Sequence, residues 1–191
     1  MSEIKEIFKT PLYAEYLKLN NDSIKKYITS FKKKNTSVLK SNIGGWQSDS
    51  LEGEHPPLND LFIEIEKHSN IFANKIGLKD NLTINDIWIN INYYKDYNTN
   101  HTHSHSILSG VYYVQTPKDC GNIEFSTSDV ALRNYDWNER TIKDRNSFTV
   151  PQYWMSSLKN MLYIFPSWLS HCVSPNLNPS EERVSISFNL K

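Results

Sequence analysis

The sequence predicts a mainly β domain, a sandwich or small barrel, with helices packed beside it on the N-terminal side. Two stretches of helical apolar spacing lie between Asn21 and Ile76, and after Gly77 the pattern changes to short alternating runs separated by turn residues. Many short strands behind two packing helices fit a layered β architecture better than a parallel α/β one. The 191 residues suit one domain, long enough to bury a core without disulfides.

A short strand is expected around Ile7 to Tyr13, where Pro11 lacks the N–H that one long helix would need. Asn21, Asp22 or Ser23 caps a helix with Ile24, Tyr27, Ile28 and Phe31 on one face. The basic run Lys32 to Lys34 falls in its last turn, where cations suit the helix dipole. Ser41 to Ser50, SNIGGWQSDS, reads as a loop around Gly44 and Gly45 with Trp46 as its anchor. Pro56 and Pro57 precede a second helix whose stripe is Leu58, Leu61, Phe62, Ile65, Phe72 and Ile76.

Ile87, Ile89 and Ile91 alternate with Trp88, Asn90 and Asn92, a strand with one apolar face and one largely polar. Val111 to Val114 and Gly121 to Phe125 make the next strands, joined by a turn with Pro117 and Gly121. Ser126 to Ser157 is long, charged and aromatic without a period, and reads as a lid or a surface excursion. Met161 to Phe165 is a strand ending at Pro166. Arg183 to Leu190 alternates strictly, with Val184, Ile186, Phe188 and Leu190 on one face and Arg183, Ser185, Ser187 and Asn189 on the other.

Lysine plus arginine equal aspartate plus glutamate at 21 each, so bulk charge argues against a nucleic-acid or membrane-surface partner. The two cysteines, Cys120 and Cys172, make no disulfide framework and no C-x-x-C metal spacing, which favours a reducing compartment. Nothing near Met1 resembles a signal peptide and no apolar run nears the roughly 20 residues that span a bilayer, so a cytoplasmic protein is expected.

The chemistry is concentrated in NTNHTHSHSILSGVYYV, Asn98 to Val114. In an extended chain His101, His103 and His105 project to one side, and neutral imidazoles one residue apart can take adjacent positions on a metal ion; a solvated histidine loop is the alternative. His171 follows FPSWLS, and Arg183 stands on the polar face of the last strand with Ser185. An inward arginine needs an anion, either a bound carboxylate gripped by its planar fork or an internal aspartate or glutamate.

The runs HTHSHSILSGVYYV, YIFPSWLSHCVSPN and ERVSISFN, in that order, resemble the motifs of 2-oxoglutarate- and iron(II)-dependent oxygenases of phages and marine bacteria, relatives of the prolyl 4-hydroxylases. The likeness covers about half the chain, Trp88 to Asn189, with Asn42 to Ser48 similar as well. It implies a double-stranded β-helix, or jelly roll, as one domain over residues 1–191, with helical support in 20–80 and the jelly-roll core in 82–191. Iron would be held by His101, His103 and His171, where such enzymes usually have aspartate in the place of His103. Two alternatives for the ligand set stay open: His103 and His105 with His171, or a carboxylate from Glu124 or Asp129.

The resemblance assigns Arg183 and Ser185 to the distal carboxylate of 2-oxoglutarate and Tyr113 to the same carboxylate, with Asn92 near the place where relatives present a tyrosine. Where relatives have a glycine shortly before the first histidine, this chain has Lys95. The implied cofactors are Fe(II) and 2-oxoglutarate, with ascorbate allowed as a third. The implied reaction is a dioxygenase's: oxidative decarboxylation of 2-oxoglutarate to succinate and carbon dioxide, coupled to hydroxylation of a C–H bond on a peptide, with a peptidyl proline first, or on a small molecule. Trp88, Tyr113, Phe165 and Trp168 are the candidate apolar wall around that chemistry. Two other readings fit the same fold: a three-histidine cupin-type metalloprotein that does not use 2-oxoglutarate, and a non-catalytic phage binding protein. The oligomeric state has no signature in the sequence.

Overall fold

The strict alternation of the last strand sets the architecture. The structure, a computed structural model, describes residues 3–79 and 81–191, so residues 1, 2 and 80, the last of which bounds the expected helical support, lie outside the described residues. In chain order the elements are β1 (Tyr13–Tyr16), α1 (Asn21–Lys34), β2 (Asn42–Ile43), β3 (Trp46–Gln47), a 3-10 turn (Pro56–Leu58), α2 (Asn59–Lys75), β4 (Ile84–Asn92) and β5 (Tyr97–His101). Then come β6 (Leu108–Gln115), β7 (Asn122–Ser126), α3 (Val130–Asp136), β8 (Gln152–Ser156), β9 (Met161–Pro166), β10 (Ser170–Val173) and β11 (Arg183–Leu190).

Among the described residues the strands form two antiparallel sheets. One has six strands in the order β1-β9-β6-β11-β4-β3, and the other has five in the order β2-β5-β10-β7-β8. Strands distant in sequence thus become neighbours in both sheets, the interleaving of the double-stranded β-helix expected from the sequence. β11 pairs along its length with β4 on one side and β6 on the other, so its two faces are fixed by both neighbours.

Those two faces do different work. Val184, Ile186 and Phe188 pack with Ile87, Ile89 and Ile91 of β4, Ile24 and Ile28 of α1, and Leu61, Ile65 and Phe72 of α2 in the main core. The helices therefore cover the outside of the six-stranded sheet, and truncating one of these buried side chains to alanine costs about 2–5 kcal/mol. The other face looks toward the five-stranded sheet. A smaller cluster there, with Val111, Tyr113, Ile123, Phe125, Tyr163, Phe165 and Leu169, fills only part of the space between the sheets. Polar residues of β4 and β11 line the remainder.

Several elements differ from the sequence reading. The first strand begins at Tyr13 rather than Ile7, because Ile7 and Phe8 are 71% and 95% exposed and Phe8 has a φ of 54°. The cap of α1 is Asn20, whose side chain accepts the Ser23 N–H at 3.2 Å. The stretch read as a loop over Ser41 to Ser50 holds β2, paired with β5, and β3, paired with β4, so it crosses from one sheet to the other. Gly44 and Gly45, at φ 71° and 68°, make that crossing, and a Cβ on Gly45 would stand 2.5 Å from the Ile91 carbonyl oxygen. Within Ser126 to Ser157 lie α3 and the edge strand β8, whose exposed Tyr153 and Trp154 give it no apolar alternation to read. Among the described residues no helix is long and apolar enough to cross a membrane.

Candidate metal centre

The antiparallel pairing of β10 with β5 sets His171 directly opposite His101. His101 Nδ1 lies 2.7 Å from the Thr99 carbonyl, and His171 Nδ1 lies 2.9 Å from the Leu169 carbonyl. A carbonyl only accepts, so each imidazole donates Nδ1–H to it and keeps the Nε2 lone pair free. His103 sits two residues beyond β5, where its backbone N–H donates to the Ser167 carbonyl at 2.9 Å and docks the loop. Its Nε2 faces His171 Nε2 at 3.3 Å, and ligand atoms of His101, His103 and His171 all lie within 4.8 Å of one another.

Burial keeps these rings neutral. It lowers the His101 pKa, and it lowers His103 to about 4 and His171 to about 3, with the neighbouring imidazoles pushing the same way for the latter two. Three neutral nitrogens converging on one point are a donor set that fits a transition-metal ion.

The alternative ligand sets do not form. His105 is exposed, with φ 65°, and falls outside the group because the chain turns after His103 instead of continuing as a strand. Glu124 is opposite Cys172 on the β7–β10 ladder, and His171 is opposite Phe125, so Glu124 points to the other face. Its carboxylate meets the Cys172 thiol at 3.9 Å. Asp129 is exposed in the turn before α3. Among the described residues the metal-type group contains no carboxylate.

One cavity joins the histidines to Arg183; His101, His103, His171, Tyr113, Asn92 and Ser185 all line it. Arg183 is 1% exposed. Its Nη1 donates to the carbonyls of Cys120 and Ser174, the latter at 3.0 Å, while Nη2 is buried without a partner. Among the described residues no carboxylate is within ion-pair distance of it, which removes the internal salt bridge as an explanation. A buried guanidinium N–H left open costs about 1–3 kcal/mol, so the arrangement fits an anion that completes it. The Tyr113 hydroxyl is also buried beside the Ser157 hydroxyl without completing a hydrogen bond to it. Burial chiefly pushes its pKa up to about 12, so it keeps its proton for donation.

Gly121 makes room for this end of the cavity. It has φ 82°, and a Cβ there would stand 2.9 Å from Arg183 Nη1 and 2.5 Å from the Ser174 carbonyl oxygen. Lys95, in the place of the expected glycine, adopts φ 71°, held by its N–H donating to the Asn176 carbonyl at 2.7 Å. Asn92 lines the cavity with its amide 3.5 Å from Asn98 Oδ1. Trp88 and Phe165 are wall residues, but Trp168 is 64% exposed and does not line the cavity, because it sits in the turn between β9 and β10. Sequence reasoning missed Asn90 and Ser187, which share the faces of Asn92 and Ser185 and line the same cavity. The alternation in β4 and β11 was the signal that could have found them.

A family model described as 2OG-Fe(II) oxygenase matches residues 86–189. No curated protein matches the chain. Among solved structures, a prolyl-4-hydroxylase from Pseudomonas putida is similar at TM-score 0.62 and 13% identity, over 95% of this chain and 92% of that one. A viral collagen prolyl hydroxylase from Paramecium Bursaria Chlorella virus-1, solved with 2-oxoglutarate, is similar at TM-score 0.56 and 14% identity, covering 94% of each chain. The non-heme α-ketoglutarate-dependent carbocyclase SnoK from nogalamycin biosynthesis is similar at TM-score 0.66 and 11% identity, over 95% of this chain and 79% of that one. At these identities the structural likeness carries the fold alone.

Proposed function

The chain belongs to the 2OG-Fe(II) oxygenase family, and from that premise we propose that it is a dioxygenase hydroxylating a C–H bond of a peptide or small molecule, a peptidyl proline first among them. The observation that carries the reading is one cavity with three imidazoles converging at one end and an unpartnered Arg183 Nη2 at the other.

His101, His103 and His171 would hold Fe(II) through Nε2, with the Thr99 and Leu169 carbonyls fixing the tautomer of the first and last. His103 stands where a carboxylate is usual, so the protein leaves the full charge of the ion to be balanced by what binds beside it. Arg183 would grip the distal carboxylate of 2-oxoglutarate, with the hydroxyls of Tyr113 and Ser185 as further donors. Asn92 serves as a polar side wall. Fe(II) and 2-oxoglutarate, when bound, supply the oxidising power from dioxygen and account for succinate and carbon dioxide as products. Trp88 and Phe165 restrict water around the reacting atoms.

The prolyl hydroxylases among similar folds support a peptidyl proline as the substrate to try first. Free Cys120 and Cys172 support a reducing, cytoplasmic setting. The test is succinate release from 2-oxoglutarate with Fe(II), assayed across proline-containing peptides and small-molecule pools. Succinate formation stimulated by at least one pool is expected; none from folded, iron-loaded protein overturns the reading.

A further inference from the structure

Beside the histidines a second, wider cleft opens, sharing Trp88, His101 and His103 with the cavity and adding Gln47, Asp49 and Asp86. On β4 the residues Asp86, Trp88, Asn90 and Asn92 lie on one face, opposite the isoleucines of the core. Arg183 pairs with Asn92 at one end of this face and Asn189 pairs with Asp86 at the other, about 20 Å away at strand rise. The face therefore runs from a buried cation to a carboxylate.

Two acceptors on this wall are unused. Gln47 Oε1 and Asn90 Oδ1 are buried without partners, in residues 5% and 6% exposed that sit side by side in the β3–β4 register, Gln47 lining the cleft and Asn90 the histidine cavity next to it. The Asn90 amide nitrogen is already committed to Ser187 Oγ at 3.0 Å. Among the described residues neither Asp49 nor Asp86 forms an ion pair, and the cleft's own cation, exposed Lys40, sets one positive charge against two negative. Trp88, whose ring centroid is 5.6 Å from that of His103, adds an indole that suits a cation next to the metal-type group. Unpaired acceptors, carboxylates and an indole share one complement, a positively charged N–H donor.

We propose that this cleft is the substrate subsite for an ammonium or guanidinium group, held by Asp86 and Trp88 with Gln47 accepting an N–H bond from it. The inference rests on the oxygenase reading and specifies what the substrate carries beside its reacting carbon. A site built of acceptors rejects a neutral isostere that lacks the charge.

The test is calorimetric titration of the full chain, loaded anaerobically with Mn(II) and 2-oxoglutarate, by the peptides Gly-Pro-Arg-Gly, Gly-Pro-Lys-Gly, Gly-Pro-citrulline-Gly and Gly-Pro-Glu-Gly, and by free arginine. The arginine and lysine peptides are expected to bind at least tenfold tighter than the citrulline peptide, with the glutamate peptide weakest. Asp86→Asn should close that gap and Asp86→Glu restore most of it, at unchanged melting temperature. Equal affinity for arginine and citrulline peptides, a gap that survives in Asp86→Asn, or no binding of any cationic probe overturns the proposal. The 2-oxoglutarate isotherm, recorded first, separates the two readings. A normal isotherm without charge preference removes only the cation subsite, whereas absent 2-oxoglutarate binding removes the oxygenase reading whatever the peptides do.

Discussion

His101 and His171 face each other across the β5–β10 ladder, and each donates its Nδ1–H to the carbonyl two residues before it. The same local device on two antiparallel strands leaves both Nε2 lone pairs free near one point. His103 completes the group from a loop that is tied to Ser167.

Replacing His171 with alanine removes the most buried of the three donors and should lower metal affinity by at least 100-fold. Metal analysis after gel filtration checks this, with circular dichroism unchanged. Stoichiometric iron retained by the variant would mean that the ligand set is misassigned.

The contrast between His103 and His105 separates the ligand sets that the sequence left open. His103→Ala should weaken Mn(II) binding by about tenfold or more, and His105→Asn should leave it unchanged. Asparagine is chosen because His105 has φ 65°, a conformation it tolerates. Paramagnetic titration reads both, and a loss in the His105 variant would restore the alternative pair.

Arg183→Ala should raise the KM for 2-oxoglutarate by about 100-fold or more, since the loss of a buried charge-assisted grip through Nη2 is worth about 3 kcal/mol. Arg183→Lys should recover part of it while leaving the melting temperature closer to that of the parent. Unchanged turnover in the alanine variant would favour a metalloprotein that does not use 2-oxoglutarate.

Alkaline stability tests the buried tyrosines. Burial pushes Tyr112 and Tyr113 up to about 12, and the Tyr112 hydroxyl donates to Asn21 Oδ1 at 2.7 Å. Both pKa values are raised above the unfolded value near 10, so this stability is complete below pH 10 and is lost as pH rises toward 12. Denaturant midpoints should fall across that window, and Tyr112→Phe should remove about half of the slope. An unchanged slope would show that the ring is not buried as described.

Much of this was legible in the chain because alternation survives in β4 and β11, adjacent inner strands of the six-stranded sheet. The apolar isoleucines of β4 predicted the core, and Arg183, Ser185 and Tyr113 fell on the cavity side as period two requires. β5 and β10 were harder, since both are polar and only five and four residues long, too short for a pattern to emerge. The crossing at Gly44 and Gly45 was visible as a turn, but not that its arms join different sheets, which is a long-range pairing. His105 shares the alternation of His101 and His103, and only the turn in the backbone separates it from them.

The central claim is that His101, His103, His171 and Arg183 make one site for Fe(II) and 2-oxoglutarate together. Anaerobic titration of 2-oxoglutarate into the Fe(II)-loaded protein, followed by visible absorbance, tests it most directly. The expected result is a charge-transfer band that saturates at one equivalent, is absent in His171→Ala and needs far more 2-oxoglutarate in Arg183→Ala. A folded, iron-loaded protein that gives no band at any 2-oxoglutarate concentration would contradict it.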